Sequence, residues 1–370
     1  MSVYLLMLKH SLRSVIRMFS KGSDDVIQLV LYCIDDEYRE SHPGVLKKVK
    51  DTRKTWARAL GVAKQNELTY YLSKTVIDHE GMFQARIPEV MVKDEKEKQS
   101  RLGNTLDFVS SLFKDEELSY RFIKLYRGIQ YNPRDVDVLT RKAENSRVIS
   151  AFKRRSATLM VFDEAEINCE KKGLLKVDLY NGFYYFSREF LDNDFLWAEP
   201  REVEICGVEC PILGYEADLA TLLIHSMLGH RYLSLLDFLY AKSLLLDRKL
   251  NLDKIARQAK KYEWEHAFSS MIHTLEDAYR ALYVDDQIIG FPILFPPSFT
   301  LKLFVLDPKR KLTFIASSLI DRALYGYGVA QSSAGIELPE ALHDVVLRLI
   351  RRVKYWVGDR KGITKAEIVD

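Results

Sequence analysis

Residues Leu125–Leu139 read LYRGIQYNPRDVDVL. The stretch runs from an apolar segment through a glycine turn and a polar connection into a second apolar segment that carries two aspartates. Asp135 and Asp137 are two residues apart, so on a β-strand both carboxylates point to the same face. Val136, Val138 and Leu139 are the β-branched and apolar residues such a strand needs. Two neighbouring carboxylates repel each other unless a cation or a basic group lies between them. A divalent metal ion is a common solution, and phosphoryl or nucleotidyl transfer is a chemistry that uses it. The competing reading is a strand end whose acids face water.

Working outward, Tyr120–Tyr126 alternates as a strand that Gly128 ends, and Arg134–Thr140 is the second strand. Lys142–Arg154 reads as a helix and Ala157–Asn168 as a third strand or a hairpin. Leu174–Leu179 reads as a further strand carrying Asp178. Asp178 stands among apolar neighbours, where an unpaired acid is costly to bury. The aromatics from Phe183 to Phe190 either stack a base or pack between sheet and helices, and core packing is the expectation. Glu202–Leu213 reads as a hairpin turning at Gly207. Cys206 and Cys210, with His225 and His230, form a zinc set or are two small hydrophobes in a hairpin beside unrelated histidines, the second being preferred.

The flanks are helical in pattern. In residues 1–115, apolar residues recur every three to four positions from Leu5 to Ile16, and Ser23-Asp24-Asp25 caps a helix through Cys33. His42-Pro43-Gly44 is a break, Lys93–Lys98 reads as a connection and Leu102–Phe113 as a short helix. Beyond Gly214, helices are expected over Tyr215–Leu228, Leu233–Leu246, Leu252–Tyr279, Thr313–Ala330 and Pro339–Val357. Residues 45–60 and 345–361 are strongly basic. Each is either a phosphate-contacting surface for nucleic acid or a solvated helix face, and a charge run is more often the latter.

Composition narrows the class. The chain has 370 residues, 47% hydrophobic and 29% charged, as in an ordinary globular protein of two or three domains. A net charge of +3 does not by itself call for nucleic acid. Four scattered cysteines exclude a disulfide scaffold and fit a reduced, cytoplasmic setting. The N-terminal apolar run is broken by Lys9, His10, Arg13 and Arg17 and is not a secretory signal, and no run of apolar residues is long enough to span a membrane.

The order strand, strand with Asp-x-Asp, helix, strands, and a third acid in Lys176-Val-Asp-Leu-Tyr180 resembles the nucleotidyltransferase superfamily. It is most similar to a poorly characterised group of standalone members with a C-terminal helical region. His225, His230 and Asp237 stand in places that match that group's first helical pair. The resemblance covers roughly residues 116–250. It implies an α+β fold with a small mixed sheet as core (116–214) between an N-terminal (1–115) and a C-terminal (215–370) helical region. It implies transfer of a nucleotidyl group from a nucleoside triphosphate to a hydroxyl acceptor, with Mg²⁺ (or Mn²⁺) held by Asp135, Asp137 and Asp178. Lys124, Arg127, Gly128, Arg134 and His230 are then the expected nucleotide-binding residues. One departure stands out. The superfamily places Gly-Ser at a helix start about ten residues before the first acid, whereas here Gly128 is followed by Ile129, and six residues separate it from Asp135.

The alternative is a degenerate member that acts as a nucleic-acid or protein interaction module. The two readings part on geometry. An enzyme needs the three carboxylates converging beside basic groups or backbone N–H donors. An interaction module shows a filled cleft, or acids paired to lysine or arginine.

Overall fold

The computed structural model describes residues 24–48, 53–65, 68–78, 89–128, 131–161, 166–185, 188–226, 232–246, 250–283 and 302–303. The expected helices at Leu5–Ile16, Thr313–Ala330 and Pro339–Val357, the basic segment 345–361 and His230 lie outside the described residues.

Six helices open the described chain: α1 Asp24–Ile34, α2 Asp36–Ser41, α3 Val45–Lys48, α4 Arg53–Gln65, α5 Thr69–Asp78 and α6 Glu89–Asp115. Asp35 caps α2, its carboxylate accepting from the Tyr38 N–H at 3.3 Å. His42 closes that helix, and the turn at Pro43-Gly44 follows, as the sequence indicates. On α4, Trp56, Ala59 and Ala63 are buried while Lys54 and Arg58 are exposed, so its charge lies on an outer face. One expectation is corrected here. Lys93–Lys98 is not a connection but part of α6, a single helix of 27 residues. Glu and Lys favour helix, and no glycine or proline interrupts Glu89–Leu102, so the run continues the helix with every residue but the buried Glu95 on its wet side.

The strands and helices that follow are β1 Tyr120–Ile123, β2 Asp135–Thr140, α7 Asn145–Arg154, β3 Thr158–Val161, β4 Glu166–Glu170, β5 Lys176–Tyr180, the hairpin β6 Phe183–Tyr185 and β7 Arg188–Leu191, α8 Asn193–Trp197, and the hairpin β8 Arg201–Ile205 and β9 Val208–Ile212. Seven of the strands form one mixed sheet in the order β3-β4-β5-β2-β1-β9-β8. At its centre β2 runs parallel to β5 and antiparallel to β1. The fold is α+β.

Period-two alternation sorts the sheet into two unlike faces. Phe122, Val136, Val138, Val177 and Leu179 point to one side, into a core shared with Leu102, Leu106 and Phe113 of α6 and Val148 and Phe152 of α7. Fully burying each such side chain contributes roughly 1.5–3 kcal/mol. The opposite face carries Ile123, Asp135, Asp137, Leu139, Lys176 and Asp178. Gly103 lets α6 approach the β8–β9 turn, since a Cβ there would stand 3.3 Å from the Cβ of Cys206.

The C-terminal helices are α9 Tyr215–Ile224, α10 Leu235–Leu246, α11 Leu252–Lys261 and α12 Glu265–Tyr283, with two-residue strands β10 Tyr232–Leu233 and β11 Lys302–Leu303 paired in parallel. The expected helix Leu252–Tyr279 is in fact two. The chain turns at Tyr262–Trp264, where Glu263 takes φ 57° and the Trp264 N–H returns to the Ala259 carbonyl at 2.8 Å. That is a left-handed helix end without the usual glycine, held by the burial of Trp264. Helices α9–α12 share a core with α1, α2, α4 and α5, joined by Phe183, Phe190 and Leu191 of the small hairpin. Phe183 and Phe190 of the aromatic stretch therefore pack as core. No helix among the described residues is long and apolar enough to cross a membrane.

Candidate active site

The three acids are brought together by strand pairing. In the β2–β5 register Asp137 stands directly opposite Asp178, and Asp135 opposite Lys176. Neighbouring strands lie about 4.8 Å apart, so side chains of one face that oppose each other are in reach. Lys176 Nζ lies 2.7 Å from Asp178 Oδ2 and 3.7 Å from Asp135 Oδ2, bridging the first and third acids. Asp137 is met from the other side by Lys124, whose Nζ lies 2.7 Å from its Oδ2.

Lys124 reaches that position through a backbone turn. Residue 124 would face away from Ile123 if β1 continued. Instead Lys124 takes φ 58°, a left-handed conformation that costs a non-glycine residue about 1 kcal/mol. The alternation ends there, and its ammonium arrives on the acidic face, 5.3 Å above the Tyr180 ring. The connection to β2 is then pinned. Tyr131 donates its hydroxyl to the Lys124 carbonyl at 2.5 Å, and Asn132 is held by Glu95 and Gln99 of α6.

Burial makes the acids electrostatically unlike. Asp178 is 3% exposed and its Oδ1 has no hydrogen-bond partner. Burial pushes its carboxyl up to about 7, Lys176 opposes the rise, and the charges of Asp137 and Asp135 add to it. Asp135 is also raised by burial and by Asp137, with Lys176 and Lys124 working against the shift.

A stability prediction follows for Asp178→Asn. The unfolded carboxyl titrates near about 3.9 and the folded one at about 7. Between those values the folded chain binds more protons than the unfolded chain, so this group's contribution to stability falls as pH rises. The isosteric amide carries no such penalty. The variant is expected to be more stable than the parent at pH 8 by about 1–3 kcal/mol, the gap opening from about pH 4 to 7 and then levelling. Denaturant titrations of both proteins across that range check this; equal stability at pH 8 would show that Asp178 is well solvated or fully paired.

The other expected nucleotide ligands disperse. Arg127 is 7% exposed and turns to α10, 3.3 Å from Asp237 Oδ1 and 5.5 Å over the Tyr240 ring. Burial opposes its charge, but Asp237 holds the guanidinium protonated. Its place is at the junction of core and helices, away from the three acids. Gly128 is exposed with φ 69°, and a Cβ there would meet Ser243 Oγ at 3.4 Å, so it too abuts α10. Arg134 is exposed and immediately precedes Asp135. Asp237 pairs with Arg127 and accepts from Ser226 at 3.4 Å. Cys210 is buried in the sheet core and Cys206 is exposed at the turn.

The residue that sequence reasoning missed is Lys176. The signal was available: it stands two before Asp178 on a strand and so shares its face.

The donor set can be tested for a divalent ion. Carboxylate oxygens on one sheet face are the hard ligands Mg²⁺ and Mn²⁺ take, and the buried, partnerless Oδ1 of Asp178 is an oxygen in want of a cation. Among the described residues, however, no group of three or more His, Cys, Asp or Glu side chains is arranged as a formed metal cage. Lys124 and Lys176 occupy one oxygen each of Asp137 and Asp178. The chemistry of the donors fits, and an ion would take the place of an ammonium group.

No protein-family model matches the chain, and no curated protein matches it. Among solved structures it is similar to the lincosamide antibiotic adenylyltransferase LnuA in its lincomycin-bound form, with 18% identity and a TM-score of 0.29 over 38% of this chain and 94% of that one. It is also similar to the antibiotic-resistance factor ANT(2'')-Ia, with 10% identity and a TM-score of 0.34 over 48% of this chain and 96% of that one. Both of these proteins are nucleotidyltransferases.

Proposed function

We propose that the chain transfers a nucleotidyl group from a nucleoside triphosphate to a hydroxyl acceptor, at Asp135, Asp137 and Asp178, with Mg²⁺ or Mn²⁺. The observation that carries this reading is the placing of Asp137 opposite Asp178 on adjacent parallel strands, with Asp135 on the same face and a buried Asp178 oxygen left without a partner. Three acids are not gathered on one half-buried face for stability, since each raises the cost of ionising the others.

Asp135 and Asp137 would hold the ion. When bound, it supplies positive charge to the α-phosphate and to the departing pyrophosphate. Asp178 takes the proton of the acceptor hydroxyl as its oxygen bonds to the α-phosphorus and the bond to pyrophosphate breaks. Among the described residues Lys124 and Lys176 are the ammonium groups that contact these acids, and they would neutralise phosphate charge on that face. Catalysis of this kind rests on positioning and electrostatics.

The second reading, an interaction module without catalysis, has one observation in its favour: both inner acids are paired to lysines. The two are separated by incubating the chain with each α-labelled nucleoside triphosphate, Mg²⁺ and cell extract, and by thermal shift with Mg²⁺ and the same nucleotides. Saturation to 100 times Kd is expected to stabilise the chain by about 2.7 kcal/mol. Absence of both a labelled product and any stabilisation, for all four nucleotides, would leave the interaction module standing.

A further inference from the structure

A cavity of about 850 Å³ opens beside Asp135, at the edge where β2 and β5 begin. Its walls come from outside the carboxylate set. Helix α4 contributes Lys64, α6 contributes Lys98 and Arg101, and the β4–β5 turn contributes Lys171 and Lys172. Arg134 and Lys176 complete the lining on the side of the acids. Seven basic side chains thus face three acidic ones, Asp94, Glu95 and Glu170. That surplus exceeds the net charge of the whole chain, +3, so positive charge is concentrated here.

Part of that charge is already engaged, Lys98 by Glu95 and Lys176 by Asp178. Glu95 is 6% exposed and already bound by Lys98 and Asn132. Lys64 and Lys172 are exposed, and no carboxylate among the described residues pairs with either. The mouth of the turn is open, with nothing within 4 Å of a Cβ built on Gly173.

We infer that this cavity holds the phosphate-bearing end of the acceptor, an assignment that rests on the transfer reading above. The source is either a phosphorylated small molecule or the terminal phosphates of a nucleic acid. A concave site with a surplus of one sign of charge concentrates ligands of the other sign, so an anionic acceptor fits it better than a cationic one. The volume is that of a whole small-molecule site, larger than one phosphate needs. The donor's charge is met elsewhere, on the sheet face that carries Asp137. Lys176 joins the two regions, because it lines the cavity and also contacts Asp135 and Asp178.

The test measures binding without metal, using the full chain in EDTA. The probes are a fluorescein-labelled single-stranded RNA oligonucleotide and inorganic tripolyphosphate. The expected result is RNA binding that weakens steeply with salt and is displaced by tripolyphosphate. Binding of tripolyphosphate without RNA assigns the site to a phosphorylated small molecule. The double charge reversal Lys64→Glu/Lys172→Glu, at two exposed positions, is expected to weaken the bound probe at least tenfold while leaving stabilisation by Mg²⁺-nucleotide unchanged. The proposal is overturned if neither probe binds, if the reversal leaves binding intact, or if it abolishes nucleotide stabilisation, which would give the cavity to the donor. Because the probes need no metal and no turnover, failure here leaves the transfer reading standing, and failure of transfer leaves the anion binding measurable.

Discussion

Asp137→Asn is expected to lower nucleotidyl transfer by about 10²–10³-fold while the chain stays folded. Asp137 is the middle acid. It opposes Ile123 of β1 on one side and Asp178 of β5 on the other, so no neighbouring carboxylate can move into its place without breaking the sheet. Asn keeps the volume and the strand pairing but removes the charge that would hold the ion. It also leaves Lys124, whose side chain is 11% exposed, without its anion. The stability cost of that loss is about 1–3 kcal/mol, and it separates from the catalytic effect by comparing denaturant midpoints with rates. The measurement is incorporation of label from the preferred α-labelled nucleotide at saturating Mg²⁺. A variant within threefold of the parent would remove Asp137 from the chemistry and with it the proposed site.

Lys242→Met is expected to destabilise the chain by about 3–5 kcal/mol, because removing one partner leaves a buried charge uncompensated. Lys242 Nζ lies 2.7 Å from Asp35 Oδ2 and 2.8 Å from Glu37 Oε2, and it ties α10 to the start of α2. Asp35 is 9% exposed and also accepts from the Tyr283 hydroxyl, while Tyr279 donates to Glu37 at 2.9 Å. The N-terminal helices thus meet the C-terminal ones through a cluster of charged and hydroxyl groups at the edge of their shared apolar core. A second substitution distinguishes the lost charge pair from lost packing. Asp35→Asn retains an oxygen to cap α2 and removes the stranded anion. In the Lys242→Met background it should restore at least about 1 kcal/mol, read as a coupling energy in a double-mutant cycle. Additive effects of the two changes would show that packing, and not charge, holds this junction.

The parts of the fold that could be read from residues alone are those set by short-range rules. The strand at Asp135–Thr140, the third acid on Lys176–Tyr180, the hairpin turning at Gly207 and the break at Pro43-Gly44 all depend on alternation or turn chemistry within a few positions. The errors fell where a local cue pointed one way and packing another. Lys93–Lys98 looked like a linker because it is charged, but charge on one side of a helix is what solvent requires of α6. The split between α11 and α12 carries no glycine or proline, and it follows from burying Trp264.

For the candidate site the division is similar. By itself the sequence determined that Asp135 and Asp137 share a face and that an acid in apolar company follows on a later strand, because both are consequences of a two-residue period. Only the tertiary structure decided that Asp137, and not Asp135, lies opposite Asp178, since register depends on two strands whose paired residues are 41 positions apart in the chain. It also decided that Lys124 turns toward the acids while Arg127, three residues on, turns away to Asp237. Nothing in the local pattern separates those two cations. One left-handed residue at the end of β1 and the position of α10 do so, and side-chain direction there is a property of the packed molecule.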